Sequence, residues 1–192
     1  AAALLDRLGR PGGVRLGSAH PETLARLPTG LGALDEALGG GLPRGRVTEL
    51  VGPRSTGRTG LACAIAAGAT RAGETIAWVD PEDALDPEAA AAAGVTLART
   101  LWVRPRSITD ALRATDLLLR AGGFGLVVLD LGERERPRAA AAPPPAGATL
   151  LLLAPRGQPG AFAALRLEVT GRRARWSGGP GQLLLLDGID AR

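Results

Sequence analysis

A chain of 192 residues has the length of one globular domain, and with 45% hydrophobic residues it can bury a core without a disulfide framework. Its single cysteine, Cys63, excludes an intrachain disulfide, and because no signal-peptide pattern is recognisable we expect a reducing, cytoplasmic environment. The positive residues are all arginine, and a formal net charge of only +4 favours a solvated surface over a dedicated nucleic-acid binder.

The amino-terminal residues predict a small appendage and not part of a core. Residues 1–8 place Leu4, Leu5 and Leu8 on one apolar face of a short amphipathic helix. The sequence Pro-Gly-Gly at residues 11–13 ends this helix. An isolated helix of this length is marginal in water, so we expect it to pack on its own core or on another protein.

The sequence GPRSTGRT at residues 52–59 has the spacing of a phosphate-binding loop, G-x-x-x-x-G-K-[ST], except that Arg58 stands where the pattern has lysine. An apolar strand at residues 46–51 precedes it, and a helix at residues 61–71 follows it. Strand, glycine-rich loop and helix, in that order, are the context that a phosphate-binding loop requires.

Four residues of this loop decide what it can bind. In an intact loop the backbone N–H groups and the helix N-terminus hold the phosphates, the lysine reaches the terminal ones, and the hydroxyl binds Mg²⁺. Gly52, Gly57 and Thr59 fit the first and last of these roles, which makes ATP with Mg²⁺ the implied ligand, held weakly. Arg58 keeps the charge, but its planar guanidinium is a poor substitute for a compact ammonium in a closed loop. We therefore predict a degenerate nucleotide site.

The remaining sequence alternates between helices and strands. The predicted helices are residues 31–38, 89–93 and 108–120, and the predicted strands are residues 75–80, 100–104, 126–131 and 149–154. Such an alternation, with near-continuous apolar strands, indicates a mostly parallel sheet covered by helices on both faces. Residues 164–176 and 182–186 predict an antiparallel C-terminal finish to the sheet. The leucine runs are far shorter than the roughly 20 residues of a membrane helix, so no membrane association is expected.

Two acidic residues follow predicted strands at the edge of the sheet where the loop lies. Asp130 ends the strand LVVLD, where its carboxylate can hold the shell of a magnesium ion. Glu82 follows the strand AWVD, where it can orient an attacking water. Both are candidates for the nucleotide site, although each is equally well explained, taken singly, as a surface or helix-capping acid.

The order and spacing of these motifs resemble the core of the bacterial RecA recombinases over about residues 27–131. The resemblance rests on LPTGLGALDEALGGGLPRGRVTELVGPRSTGRT, WVDPEDALDP and GLVVLDL. ALLDRLG and VRLG are similar to the RecA amino-terminal oligomerisation segment, and TLLLLAPRG and ALRLEV to its later strands. The resemblance implies a RecA-like core with a phosphate-binding loop at residues 27–192, preceded by an oligomerisation or docking segment at residues 1–26.

Several positions depart from the RecA pattern. Besides Arg58, Ala89 stands where RecA has an adenine-stacking tyrosine, and Arg156 where it has the glutamine that senses the terminal phosphate. The DNA-binding loops correspond to only about residues 157–161 and to the proline-rich segment 133–147, which barely provides a parallel crossover. These departures imply a pseudo-ATPase without significant hydrolysis.

Within the RecA-like proteins, the sequence is most similar to the ImuA family of the bacterial mutasome. This family works with ImuB, an inactive homologue of Y-family polymerases, and with an error-prone replicative polymerase. The resemblance implies an adaptor in SOS-induced translesion mutagenesis, in which Glu82 and Arg156 are vestiges of catalysis. It also implies that Leu4, Leu5 and Leu8 help to bind the partner, which is ImuB or RecA itself.

Two alternatives to an adaptor stay open. The first is a divergent RecA-family ATPase in which arginine serves for lysine. The second is a module that holds single-stranded DNA weakly and by charge, through Arg172, Arg173 and Arg175 beside Trp176. An exposed hairpin turn explains the same four residues without a ligand.

Overall fold

A six-stranded parallel sheet organises the part of the chain that the computed structural model describes, which is residues 25–134, 147–157, 163–170, 172–177 and 185–191, with side chains to residue 170. The strands are β1 Arg26–Leu27, β2 Leu42–Pro43, β3 Val47–Val51, β4 Ile76–Val79, β5 Thr100–Val103, β6 Leu126–Asp130, β7 Thr149–Ala154, β8 Ala163–Glu168, β9 Arg172–Ser177 and β10 Leu185–Ala191. The helices are α1 Gly32–Ala37, α2 Arg58–Arg71, α3 Pro87–Ala92 and α4 Ile108–Ala121, with a 3₁₀ turn at Leu97–Arg99.

The strand order in the large sheet is β5-β4-β6-β7-β3-β8, and every neighbouring pair is parallel. The predicted parallel sheet is therefore confirmed. β6 and β7 are neighbours in the sheet and run parallel. The short segment between them, which barely provides a parallel crossover, therefore does connect two parallel strands. β3 lies near the middle of the sheet, and the phosphate-binding loop leaves its carboxyl end.

Helices cover both faces of this sheet. Because successive strand residues point to opposite sides, each strand contributes side chains to two core clusters. Ile76 and Trp78 belong to the core cluster that contains the apolar side of α2, while Ala77 and Val79 belong to the cluster under α4. α2 packs with small residues, mostly alanine, and α4 with the inner side of an amphipathic helix. No helix among the described residues is long and apolar enough to cross a bilayer.

The C-terminal strands differ in part from the prediction. The antiparallel finish is confirmed for β9 and β10, which form a two-stranded sheet of their own. β8, however, pairs in parallel with β3 and extends the large sheet, so the expected antiparallel pairing is wrong for residues 164–168. Alternation along β8 reflects a sheet edge with one covered face, and this pattern looks the same for parallel and antiparallel pairing.

Some predicted features lie outside the described residues. These are the amino-terminal helix with Leu4, Leu5 and Leu8, and the side chains of the arginine cluster next to Trp176. The division between a docking segment at residues 1–26 and a core from residue 27 therefore stays a prediction.

Candidate nucleotide site

Residues 52–59, the phosphate loop, connect β3 to α2 at the carboxyl edge of the sheet. Gly57 has a φ of 101° and precedes the first residue of α2, a left-handed conformation that glycine adopts without strain. Gly52 has no room for a side chain, since a Cβ there would lie 2.6 Å from the Val169 carbonyl oxygen. Both glycines of the motif are thus required by the backbone path, and the N-terminus of α2 opens at the loop.

An open cavity of about 280 Å³ lies between this loop and the ends of β4 and β6. The structure brings together in its wall five residues that the sequence singles out, which are Gly57, Arg58, Thr59, Glu82 and Asp130. The volume is just below the roughly 300–1,000 Å³ of typical small-molecule sites. Five of the predicted site residues therefore line one small cavity, and its use as a nucleotide site stays a prediction.

Arg58 turns its guanidinium into the protein, where its side chain is only 8% exposed. Nη1 donates to the Gly52 carbonyl oxygen at 2.6 Å, and Nη2 donates to the Gly132 carbonyl oxygen at 2.7 Å. Nη2 also contacts the Glu133 carboxylate at 3.2 Å, while Nε is buried without a hydrogen-bond partner. Arg58 consequently ties the phosphate loop to the residues that follow β6.

Asp130 is buried at the end of β6, with 7% of its surface exposed. Its Oδ1 accepts the Gly132 N–H at 2.9 Å. Burial raises the pKa of Asp130 above its ordinary value, and the Asp80 and Glu82 carboxylates raise this pKa further. The Gly132 N–H and the Arg58 guanidinium oppose the rise without cancelling it. The cavity floor thus carries a carboxylate whose negative charge is costly in the folded chain.

Glu82 is held by a residue that comes much later in the chain. Its Oε1 accepts from Arg134 Nε at 3.1 Å. Its other oxygen lies over Gly132, which has a φ of 58° and where a Cβ would stand 2.0 Å from Oε2. The carboxylate predicted to orient a water is therefore engaged by Arg134 and packed against a glycine.

Asp80 positions the segment that carries Glu82. It is 1% exposed at the carboxyl end of β4, and it accepts the N–H groups of Glu82 at 3.2 Å and Leu85 at 2.8 Å. These bonds satisfy the buried carboxylate with backbone donors and fix the turn after the strand. Asp80 is therefore a positioning residue in the wall of the cavity.

Two predicted positions lie outside this cavity. Arg156 is exposed and lines a neighbouring cavity of about 390 Å³, which shares Pro53 and Glu133 with the first. Ala89 is exposed on α3, and its N–H donates to the Asp86 side chain. Neither residue lines the cavity that Arg58 and Asp130 share.

A magnesium ion would have to share its ligands with a bound phosphate. Within the described residues no group of three or more His, Cys, Asp or Glu side chains is arranged to hold a metal ion. Thr59 and Asp130 do line the cavity, and Mg²⁺ at nucleotide sites commonly takes one or two protein ligands plus phosphate oxygens. These two residues fit Mg²⁺ together with a nucleotide, but not as a free-standing metal site.

Sequence reasoning missed Asp80, Gly132 and Glu133 in the cavity wall, and it missed Arg134, which contacts the wall residue Glu82. Asp80 carried a signal, because it ends the strand AWVD in the same way that Asp130 ends LVVLD. The other three belong to a glycine and charge run whose spacing reveals nothing. Their contacts with Arg58 and Glu82 span 52 to 75 residues of sequence.

A glycine-rich loop between a central parallel strand and a helix, with carboxylates at the neighbouring strand ends, defines the class of phosphate-loop α/β proteins. A sequence model of the RecA N-terminal domain family matches residues 3–142. The chain therefore belongs to the RecA family.

Similar proteins agree with this assignment. Protein RecA of Clavibacter michiganensis is 45% identical over 141 residues, which are 72% of this chain and 39% of that protein. Protein RecA of Streptomyces avermitilis is 43% identical over 141 residues, which are 72% of this chain and 37% of that protein. The chain thus spans less than half the length of these relatives. The crystal structure of the RadB recombinase has a similar fold, with a TM-score of 0.53 and 23% identity over 66% of this chain and 69% of that one.

Proposed function

We propose that this RecA-family chain is an accessory protein of translesion mutagenesis, an ImuA-like adaptor that keeps the scaffold of a nucleotide site without turning ATP over. One observation carries the proposal. The two side chains that would act on a nucleotide are already hydrogen-bonded to other groups of the chain. Arg58 is bonded to two backbone carbonyls, and Glu82 is paired with Arg134.

Phosphoryl transfer depends on charged groups that face the phosphates and the attacking water. In this site the corresponding charged groups contact other parts of the chain instead. The reaction needs a cation at the terminal phosphate and an oriented water, with little covalent chemistry from the protein. Here the cation of the loop is turned toward Gly52 and Gly132, and Arg134 neutralises the carboxylate of Glu82. Arg156, in the position of the phosphate-sensing glutamine, is outside the cavity. These features support loss of turnover.

An adaptor needs a surface for its partner, and the edge of the large sheet offers one. Among the described residues β5 pairs only with β4, so its other side presents backbone groups that no described strand pairs with. Leu97 and Leu101, each 44% exposed, lie just before this strand and within it. An extended apolar segment can add to such an edge by backbone hydrogen bonds. The RecA-like amino-terminal segment of an ImuB-like polymerase homologue, or of RecA itself, is the occupant we propose.

Capture of a purified ImuB-like partner without nucleotide tests this surface. We expect Leu101→Asp to weaken capture by about tenfold, because it adds a charge to the apolar edge. Leu117→Asp is the matched control, since Leu117 is 67% exposed on α4 and does not belong to the edge strand, so that the variant should leave capture unchanged. Equal capture by both variants, or undiminished capture of a partner lacking its RecA-like segment, would contradict the docking proposal.

Single-stranded DNA remains a secondary ligand in this proposal. We expect weak binding that falls steeply with salt, because arginine charge would supply it. Binding that persists at several hundred millimolar salt would favour the nucleic-acid module instead.

A further inference from the structure

Residues 132–134, which we name the GER segment, contact both sides of the nucleotide cavity. We propose that the GER segment is an intramolecular inhibitor of this cavity, a latch that a nucleoside triphosphate must displace in order to bind. The inference rests on the proposed function only in treating the cavity as a vestigial nucleotide site.

The first side of the latch is at the phosphate loop. The Gly132 carbonyl oxygen accepts from Arg58 at 2.7 Å, and the Glu133 carboxylate contacts the same nitrogen at 3.2 Å. Arg58 stands where the motif has the lysine that reaches the terminal phosphates, and its side chain is 8% exposed. A phosphate can recruit this guanidinium only after it leaves these acceptors.

The second side of the latch is at the end of β4. Arg134 Nε donates to Glu82 at 3.1 Å, across the cavity from the phosphate loop. Between the two sides, the Gly132 N–H donates to Asp130. Three consecutive residues therefore contact the loop cation Arg58 and two of the carboxylates in the cavity wall, Asp130 and Glu82.

The acceptors of Arg58 make this latch displaceable. Two of the three are neutral backbone carbonyls, and Nε has no partner. A phosphate adds a charged acceptor to the charged guanidinium and can bind it through two parallel hydrogen bonds, whereas a backbone carbonyl carries no charge. A triphosphate thus competes favourably for Arg58, and by taking it also frees Gly132 and Glu133. Ligand occupancy is thereby communicated to the start of the β6–β7 connection.

Affinity for Mg-ATP in the double variant Glu133→Gln/Arg134→Gln tests the latch. The substitutions remove two partly exposed ion pairs; Glu133→Gln keeps the size of the side chain, and Arg134→Gln leaves a shorter, neutral polar one. Such pairs correspond to about a two- to fivefold change in equilibrium each, so calorimetry should give a dissociation constant about fivefold or more below that of the wild type. Hydrogen exchange at the amides of residues 132–134 should be faster in the variant, and faster in the wild type when Mg-ATP is added.

Arg120→Gln is the matched control. It removes an exposed ion pair of the same kind, between Arg120 Nε and Asp116 at 2.8 Å on α4, and should change neither readout. Equal affinities in wild type and double variant, including no measurable binding by either, would overturn the latch. ATP turnover by the wild type would contradict the proposed function without bearing on the latch, because the latch is read from binding and exchange.

Discussion

Arg58 shows how a substitution that conserves charge can redirect a site. Its guanidinium has several donors in a fixed planar arrangement, and in this fold two carbonyls and a carboxylate satisfy part of that arrangement. A lysine ammonium has three rotatable donors on a flexible stem and no such planar geometry. The residue that departs from the phosphate-loop motif is therefore the residue that joins the loop to the GER segment.

Gly132 has a left-handed backbone that favours glycine, and a side chain there would displace the Glu82 carboxylate. With a φ of 58° and the Glu82 carboxylate where a Cβ would stand, Gly132→Ala should lower the free energy of unfolding by about 2 kcal/mol. Urea denaturation measures this loss. Gly39→Ala is the control, since Gly39 has a φ of 65° and open space around it, and should cost less. Equal costs would mean that contact with Glu82 contributes nothing.

The raised pKa of Asp130 predicts that the free energy of unfolding depends on pH. Because the folded-state pKa is raised, mainly by burial, the ionised carboxylate destabilises the fold at pH 7, and protonation relieves this as pH falls through that pKa toward 3.8. Asp130→Asn should therefore raise the free energy of unfolding at pH 7 by roughly 0.5–2 kcal/mol. Its advantage should shrink toward pH 4 in urea titrations. A variant that is less stable at pH 7 would show that contacts made by the charge outweigh its burial.

At the scale of elements, helix α2, which begins at the phosphate loop, is held by a close backbone contact near its C-terminal end. Gly68 packs against the turn before α1, where a Cβ would lie 2.1 Å from the Thr29 carbonyl oxygen. Thr29 is fully buried and held by Asp35, which accepts its hydroxyl at 2.7 Å and its N–H at 2.8 Å. The turn has little freedom to retreat, so α2 is fixed at both ends.

Gly68→Ala tests this packing against helix propensity. Alanine gains about 1 kcal/mol in a helix interior, but overpacking costs up to about 3 kcal/mol, so we expect a net loss of about 2 kcal/mol. Thermal or urea unfolding measures it. Ala64→Gly in the same helix calibrates the propensity contribution. A stabilised Gly68→Ala variant would mean that the turn before α1 yields easily.

For the whole molecule, sequence periodicity predicted the sheet and its helices well. β7 matches its predicted bounds, and α4 exceeds its prediction by one residue, because buried strands and amphipathic helices leave local patterns. The parallel pairing of β8 was not predictable, since one-sided burial looks the same in either direction.

The candidate site was predictable only in part. Motif spacing identified the loop and the strand-end acids, because parallel strands bring them to one edge of the sheet. The GER segment escaped notice, because Arg134 meets Glu82 across 52 residues and only the fold brings them together. Where the guanidinium of Arg58 points depends on the same long-range packing.

Steady-state phosphate release from Mg-ATP tests most directly the central claim, that this RecA-family site no longer turns nucleotide over. Wild type and Glu82→Gln should release phosphate at the same background rate, because Arg58 and Glu82 are both engaged by the GER segment. Turnover by the wild type that disappears in Glu82→Gln would contradict the claim and identify the chain as an active ATPase.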